Sequence, residues 1–291
     1  MRYISQKDLY TLKNLKIIAR KVVEGFLYGL HKSPYSGVNI EFSEYRPYTF
    51  GDELKNIDWK LWGKTDRLYI KKFEEETNMR VWLMNDSSSS MDFTSGEYPT
   101  KLFYSHILTT AFSYLFLSQQ DAVGLVTFTD RINDILYPDL KQSQFSGIIK
   151  TLENTECSGR TDLRRSFSYF SNFIKKRGLI IIISDFIDNN ENLKKAISYF
   201  RHKKNDLFVF HIYDRAESNL PYSGKKIFVD PESGEILEEN ADSIRERYKK
   251  EFHGNIHNIR KICRENRIFF YSVCTDEDPV NVMKNVFRRR R

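Results

Sequence analysis

Asp86, Ser88 and Ser90 place one carboxylate and two hydroxyls at alternate positions directly after the apolar run Val81-Trp82-Leu83-Met84. On a tight loop leaving a strand, that spacing lets all three oxygens face one hard cation. Thr161 and the pair Ser184-Asp185 lie far downstream and offer a hydroxyl and a carboxylate to close the other side. Oxygen ligands favour Mg2+, and Mn2+ fits the same set, whereas calcium asks for more donors. Because Ser88, Ser90 and Thr161 coordinate as neutral groups, the ion keeps positive character, and a water on it is exchangeable for a carboxylate of another protein. The chemistry expected is capture of an acidic partner, and no catalytic residue is expected. The structural alternative is that a serine-rich turn after a strand is a hydrogen-bonded helix entry.

Such a site needs strands that end at one edge of a sheet, where ligands collect beyond the carboxyl ends of parallel strands. Asp86 follows a strand at 81–85, and Asp185 follows Leu179-Ile180-Ile181-Ile182-Ile183, a run so apolar that both its faces must be covered. Thr161, in Ser158-Gly159-Arg160-Thr161-Asp162, precedes a helix and approaches the same edge from the side. Helical periodicity is expected over 101–119, 142–153, 163–176, 190–203, 241–265 and after Pro279. Strands are expected at 122–128, 206–213 and 267–274, with 132–137 as an antiparallel neighbour. A hairpin over 226–237 turns on Pro231 and Gly234. The fold class expected is α/β, a doubly wound, mostly parallel sheet flanked by helices.

Ahead of this, residues 5–29 carry Leu9, Leu12, Leu15, Ile18, Val22, Val23 and Phe26 at helical spacing, with Ser5 and Asp8 as a capping arrangement and Gly25 and Gly29 as the fraying end. The polar face mixes signs, so this helix is expected to pack on the body or a partner rather than on a membrane surface. In residues 31–80, Val38–Phe42 and Arg67–Phe73 alternate like half-buried strands, with Pro47, Gly51 and Asp52 forcing turns. The expected division is therefore 1–80, a helix and strand-rich region, and 81–291, the α/β domain. Arg46 and Lys60 can pair with Asp52 and Asp58, which fastens a tight fold. The sharper reading makes Arg46, Tyr48, Asp52 and Trp59 a second partner surface.

Composition narrows the class. With 291 residues, 40% of them hydrophobic, the chain can bury one large core and carry a smaller module. The formal charge of +7 comes from 46 basic and 39 acidic residues interleaved along the chain, so no nucleic-acid partner is expected. Cys157, Cys263 and Cys274 show neither a disulfide framework nor zinc spacing. No run reaches the about 20 apolar residues of a membrane span. The expected location is the cytoplasm, with attachment to a membrane complex through partners left open.

Residues 81–291 resemble a von Willebrand factor type A domain with a metal-ion-dependent adhesion site, Asp86, Ser88 and Ser90 matching its first loop, Thr161 its second and Asp185 its third. The resemblance implies that the ion takes a carboxylate from a protein partner. Ser36-Gly37, Glu41-Phe42, Glu44-Tyr45-Arg46-Pro47-Tyr48, Gly51-Asp52, Ile57-Asp58-Trp59-Lys60 and Tyr69-Ile70-Lys71-Lys72-Phe73-Glu74 are similar to the signature of the bacterial family called domain of unknown function 58. That second resemblance implies association with a MoxR-type AAA+ ATPase in maturation or remodelling of protein complexes, this chain being the adaptor.

The enzymatic rival is a metal-dependent phosphohydrolase with Asp86 as nucleophile. It needs a second acid two residues on, where Ser88 stands, and a lysine that the sequence does not tie to this loop. No Gly-x-Ser-x-Gly elbow accompanies the serines, and His106 and His211 read as packed side chains. Gly63-Lys64-Thr65 lacks the glycine that would begin a phosphate loop, since Asp58 stands there. A metal-independent scaffold is the remaining rival, and it would keep its partner after chelation.

Overall fold

Five consecutive aliphatic residues, Leu179 to Ile183, run through the centre of the molecule and are all buried. Alternation along a strand sends Leu179, Ile181 and Ile183 into one apolar layer and Ile180 and Ile182 into the other. At about 1.5–3 kcal/mol for each large aliphatic taken from water, this strand alone is a substantial share of the driving force. The computed structural model describes residues 14–31, 45–47, 63, 69–71, 79–187 and 190–288.

The strands of the main sheet are β3 (Arg80–Asp86), β4 (Ala122–Phe128), β5 (Ile132–Asp139), β6 (Leu179–Ser184), β7 (Asp206–Tyr213) and β10 (Phe269–Cys274). Their order is β10-β7-β6-β3-β4-β5. All pairings are parallel except β4 with β5. One face is covered by α1 (Leu15–His31), α2 (Lys101–Ser118), α3 (Gln142–Glu153) and α8 (Pro279–Arg288). The other is covered by α4 (Leu163–Ser171), α5 (Asn190–His202) and α7 (Ala241–Glu265). A short α6 (Arg215–Asn219) leads to the hairpin β8 (Lys225–Val229) and β9 (Ile236–Asn240).

Helix α2 is buried nearly all round, which explains its mixture of Leu, Phe, Ser and Thr on every side. Its polar groups are spent locally: Thr110 and Ser113 donate to carbonyls four residues back, and Ser105 and Thr109 grip the Asn85 amide of β3. Helix α4 stops at Ser171, short of the expected Lys176. The Lys203 ammonium takes the carbonyls of Ser171 and Ile174, and the helix ends in a tighter turn, with Phe173 N–H on Phe170 and Ile174 N–H on Ser171. Strand β10 begins at Phe269 rather than Arg267, because Arg267 is left-handed (φ 53°) and Ile268 N–H returns to the Cys263 carbonyl at 2.8 Å, closing α7.

The chain divides into two units, Met1–Leu30 with Met79–Arg291, and His31–Asn78. Helix α1 goes with the large unit, whereas residues 1–80 are grouped together by the sequence pattern. Leu15, Ile18, Val22, Val23 and Phe26 all belong to its core. Gly25 is no fraying end: the helix continues to His31, and a Cβ at Gly25 would lie 3.2 Å from a Val280 methyl of α8. The neighbouring Phe26 ring meets Phe287 at 5.1 Å. The smaller unit shows a two-stranded antiparallel ladder of β1 (Tyr45–Pro47) and β2 (Tyr69–Lys71). Pro47, expected in a turn, is the last residue of β1 and pairs with Tyr69. The Ser5–Asp8 cap and the strand at Val38–Phe42 lie outside the described residues.

Candidate metal centre

Neighbouring strands β3 and β6 end together, so Asp86 and Ser184-Asp185 meet at one rim. Asp86, Ser88, Ser90, Thr161 and Asp185 are all buried. Asp86 accepts the Ser88 amide at 2.9 Å on one oxygen and the Ser184 hydroxyl at 2.5 Å on the other. The hydroxyls of Ser88 and Ser90 are 3.1 Å apart. A 3-10 turn over Ser89–Asp92 holds this spacing. The Thr161 loop is stitched to it by two backbone bonds, Ser89 N–H to Gly159 at 3.0 Å and Ser158 N–H to Ser87 at 2.9 Å. Gly159 sits at φ +68°, where a side chain would strain the loop. Thr161 then precedes Asp162, whose carboxylate caps α4 by accepting from Arg165 N–H.

Three further groups enter that the sequence pattern leaves unassigned. Lys101, the first residue of α2, is fully buried, with its Nζ 2.8 Å from Asp185 and 2.6 Å from Glu217 of α6. Glu232, in the β8–β9 turn, accepts from the Thr161 amide and hydroxyl, each at 3.3 Å. The Ser90 hydroxyl lies beside both Glu232 and Asp185 and favours the charged form of each. A lysine opening α2 is a legible anomaly, since a cation opposes the positive end of a helix. Nothing local in the sequence shows where the hairpin tip lands.

Burial pushes the Asp86 carboxyl up to about 7, with repulsion from Asp185 adding to it against the Ser184 and Ser88 hydrogen bonds. Asp185 is held low: burial opposes its charge, but the Lys101 ammonium outweighs that, helped by hydrogen bonds from Ser90 and Ile187. Burial likewise works against the charge on Lys101, and Asp185 with Glu217 reverses the balance and raises its pKa. Glu217 is raised because its burial exceeds what a shared ammonium returns. Glu232 is raised by burial, with Asp185 repelling it and its bonds to Thr161 and Ser90 opposing the shift.

This donor set is carboxylate and hydroxyl oxygen, which suits a hard cation. Lys101 offers one positive charge against Asp86, Asp185, Glu217 and Glu232, and Arg160 reaches only the Glu232 backbone carbonyl. The five residues expected at the site are thus brought together. Of the second expected surface, Arg46 lies in β1 with its backbone alone described, and Tyr48, Asp52 and Trp59 lie outside the described residues. His106 and His211 are buried and lowered to about 4 by desolvation, hence neutral, as packed histidines should be. The three cysteines are free, and burial pushes each thiol up to about 12.

A mostly parallel sheet with one antiparallel edge, helices on both faces and its polar loops at one rim is a von Willebrand factor type A-like fold. The structure titled "conserved hypothetical protein BatB", from Bacteroides thetaiotaomicron, is similar over 72% of this chain and 98% of its own, with a TM-score of 0.50 and 14% identity. The profile described as "Protein of unknown function DUF58" matches residues 44–257, more than half of the chain, and the chain belongs to that family. Uncharacterized proteins of Mycobacterium bovis and Mycobacterium tuberculosis are 22% identical over 287 residues, covering 96% of this chain and 89% of each relative.

Proposed function

We propose that this protein is a metal-dependent protein-binding adaptor, with Mg2+ or Mn2+ held by Asp86, Ser88, Ser90, Thr161 and Asp185. The fold supports a protein-interaction role, and the observation that carries the metal is the charge imbalance at the rim. Among the described residues one ammonium faces four carboxylates, and Asp86 in particular is buried beside Asp185 with no described cation bonded to it. A divalent ion bound there supplies that missing charge and a site for an outside carboxylate. The family resemblance supports a MoxR-type AAA+ ATPase, or the client that it remodels, as the partner.

Lys101, which the sequence does not tie to this loop, lies at the rim, and this removes one objection to a phosphohydrolase. The others stand: Ser88 occupies the position of the general acid, and Lys101 is spent on Asp185 and Glu217. The protein is therefore proposed as a non-enzyme. Among the described residues no helix is long and apolar enough to cross a membrane, and a cytoplasmic site of action is part of the same proposal.

The test compares the wild type with Asp86→Ala. At a hundredfold excess of Mg2+ over its Kd, the wild type should gain about 2.7 kcal/mol of stability, read by denaturant titration, and the variant should gain none. Capture of the cognate ATPase or client should be lost in EDTA. Capture that survives both EDTA and Asp86→Ala identifies a metal-independent scaffold instead.

A further inference from the structure

The β8–β9 hairpin is poorly anchored for a structural element. Its strands are largely exposed, with Ile227, Val229, Ile236 and Leu237 all more than half open to solvent. Phe228 has Tyr222 as a ring neighbour at 6.2 Å, and the two strands pair with each other. Yet its turn is closely built. Asp230 accepts the amides of Glu232 and Gly234, and Glu235 accepts the amide of Asp230 at 2.9 Å. This turn delivers the Glu232 carboxylate to Thr161 and Ser90, two of the hydroxyls assigned above to the ion, against repulsion from Asp185. A carboxylate held by the ion's own neutral ligands, on an arm with little packing of its own, has the chemistry and placement of an incoming acidic ligand.

We infer that Glu232 is a tethered ligand, occupying the exchangeable face of the metal centre until a partner's carboxylate displaces it. This rests on the metal reading above and adds its regulation. The hairpin is a low-stability element, so it can leave without opening the sheet. Its effective concentration at the site is in the millimolar range typical of short tethers, so a weak outside carboxylate competes only when abundant or multiply anchored. The matching partner is accordingly an acidic turn presented on a folded protein, with contacts beyond the single carboxylate.

Hydrogen exchange on the full metal-free chain tests this, with isothermal titration of Mg2+ alongside. In the wild type, Mg2+ should slow amide exchange over 230–234 by on the order of tenfold, and sodium acetate at about 100 mM should reverse that protection where sodium chloride does not. Glu232→Gln should show no such protection and should bind Mg2+ on the order of tenfold more weakly. If Mg2+ binds both chains equally and protects neither hairpin, the tether is wrong and the metal site stands. Protection that acetate leaves intact makes Glu232 a permanent ligand and overturns the exchange. Failure of Mg2+ to bind the wild type overturns the metal reading itself, and the tether with it.

Discussion

Asp86 and Asp185 sit on adjacent strand ends, equally buried, and their chemistry diverges. Asp185 arrives with a cation of its own, Lys101 at 2.8 Å, and stays ionised. Among the described residues Asp86 has amide and hydroxyl donors alone, and it is pushed up to about 7. Burial therefore does not by itself set the state of a rim carboxylate. The side of the rim on β6 is closed electrostatically by the fold, and the side on β3 is the one that the proposed divalent ion would complete. A binding site for a cation needs the second kind, and the first keeps the two carboxylates from repelling each other apart.

The most severe way to break this contrast is Lys101→Met, which leaves Asp185 and Glu217 buried without their ammonium. It should cost about 3–5 kcal/mol in denaturant titrations without metal. Mg2+ should recover part of the loss. Asp86 gives the next effect, on the order of 4 kcal/mol. Its folded pKa of about 7 exceeds the ordinary 3.8, so the folded state holds a proton that the unfolded state has released. The contribution is therefore full below pH 4 and is lost as pH rises through 7. In EDTA, stability should fall across that window, Asp86→Asn should remove this component of the slope, and Mg2+ should counter the loss at its upper end.

Smaller changes sharpen the same comparison. Glu217→Gln leaves Lys101 paired with Asp185 and should cost about 1 kcal/mol, with Mg2+ affinity retained. Arg165→Ala breaks an exposed ion pair with Asp130 at 3.7 Å and should leave both stability and Mg2+ affinity within error.

Much of this site was legible before any coordinates. Apolar runs flanked by Asp86 and Asp185 fix two strand ends, and parallel pairing then brings them to one edge. The unbroken apolar run from Leu179 to Ile183 announces a strand covered on both faces, as found. Lys101 was legible only as an odd cation at a helix start and Glu232 not at all, because their roles depend on where a helix start and a hairpin tip settle in space. Neither position is encoded by local periodicity. The placement of α1 was half legible: its apolar face was plain, but that face meets residues at the far end of the chain, and Gly25 read as a helix breaker instead of a contact. The end of α4 depended on Lys203, a side chain one strand and one helix away.

The seating of Gly25 against Val280 bears on how the protein is made. Helix α1 leaves the ribosome well before α8, so the apolar stripe of α1 waits for its final neighbour while every strand of the main sheet is made. Closing so long a loop is slow, and the waiting surface is prone to wrong partners. A nascent chain stalled before α8 should hold α1 only loosely, and the sheet would close around it once translation has passed Phe287.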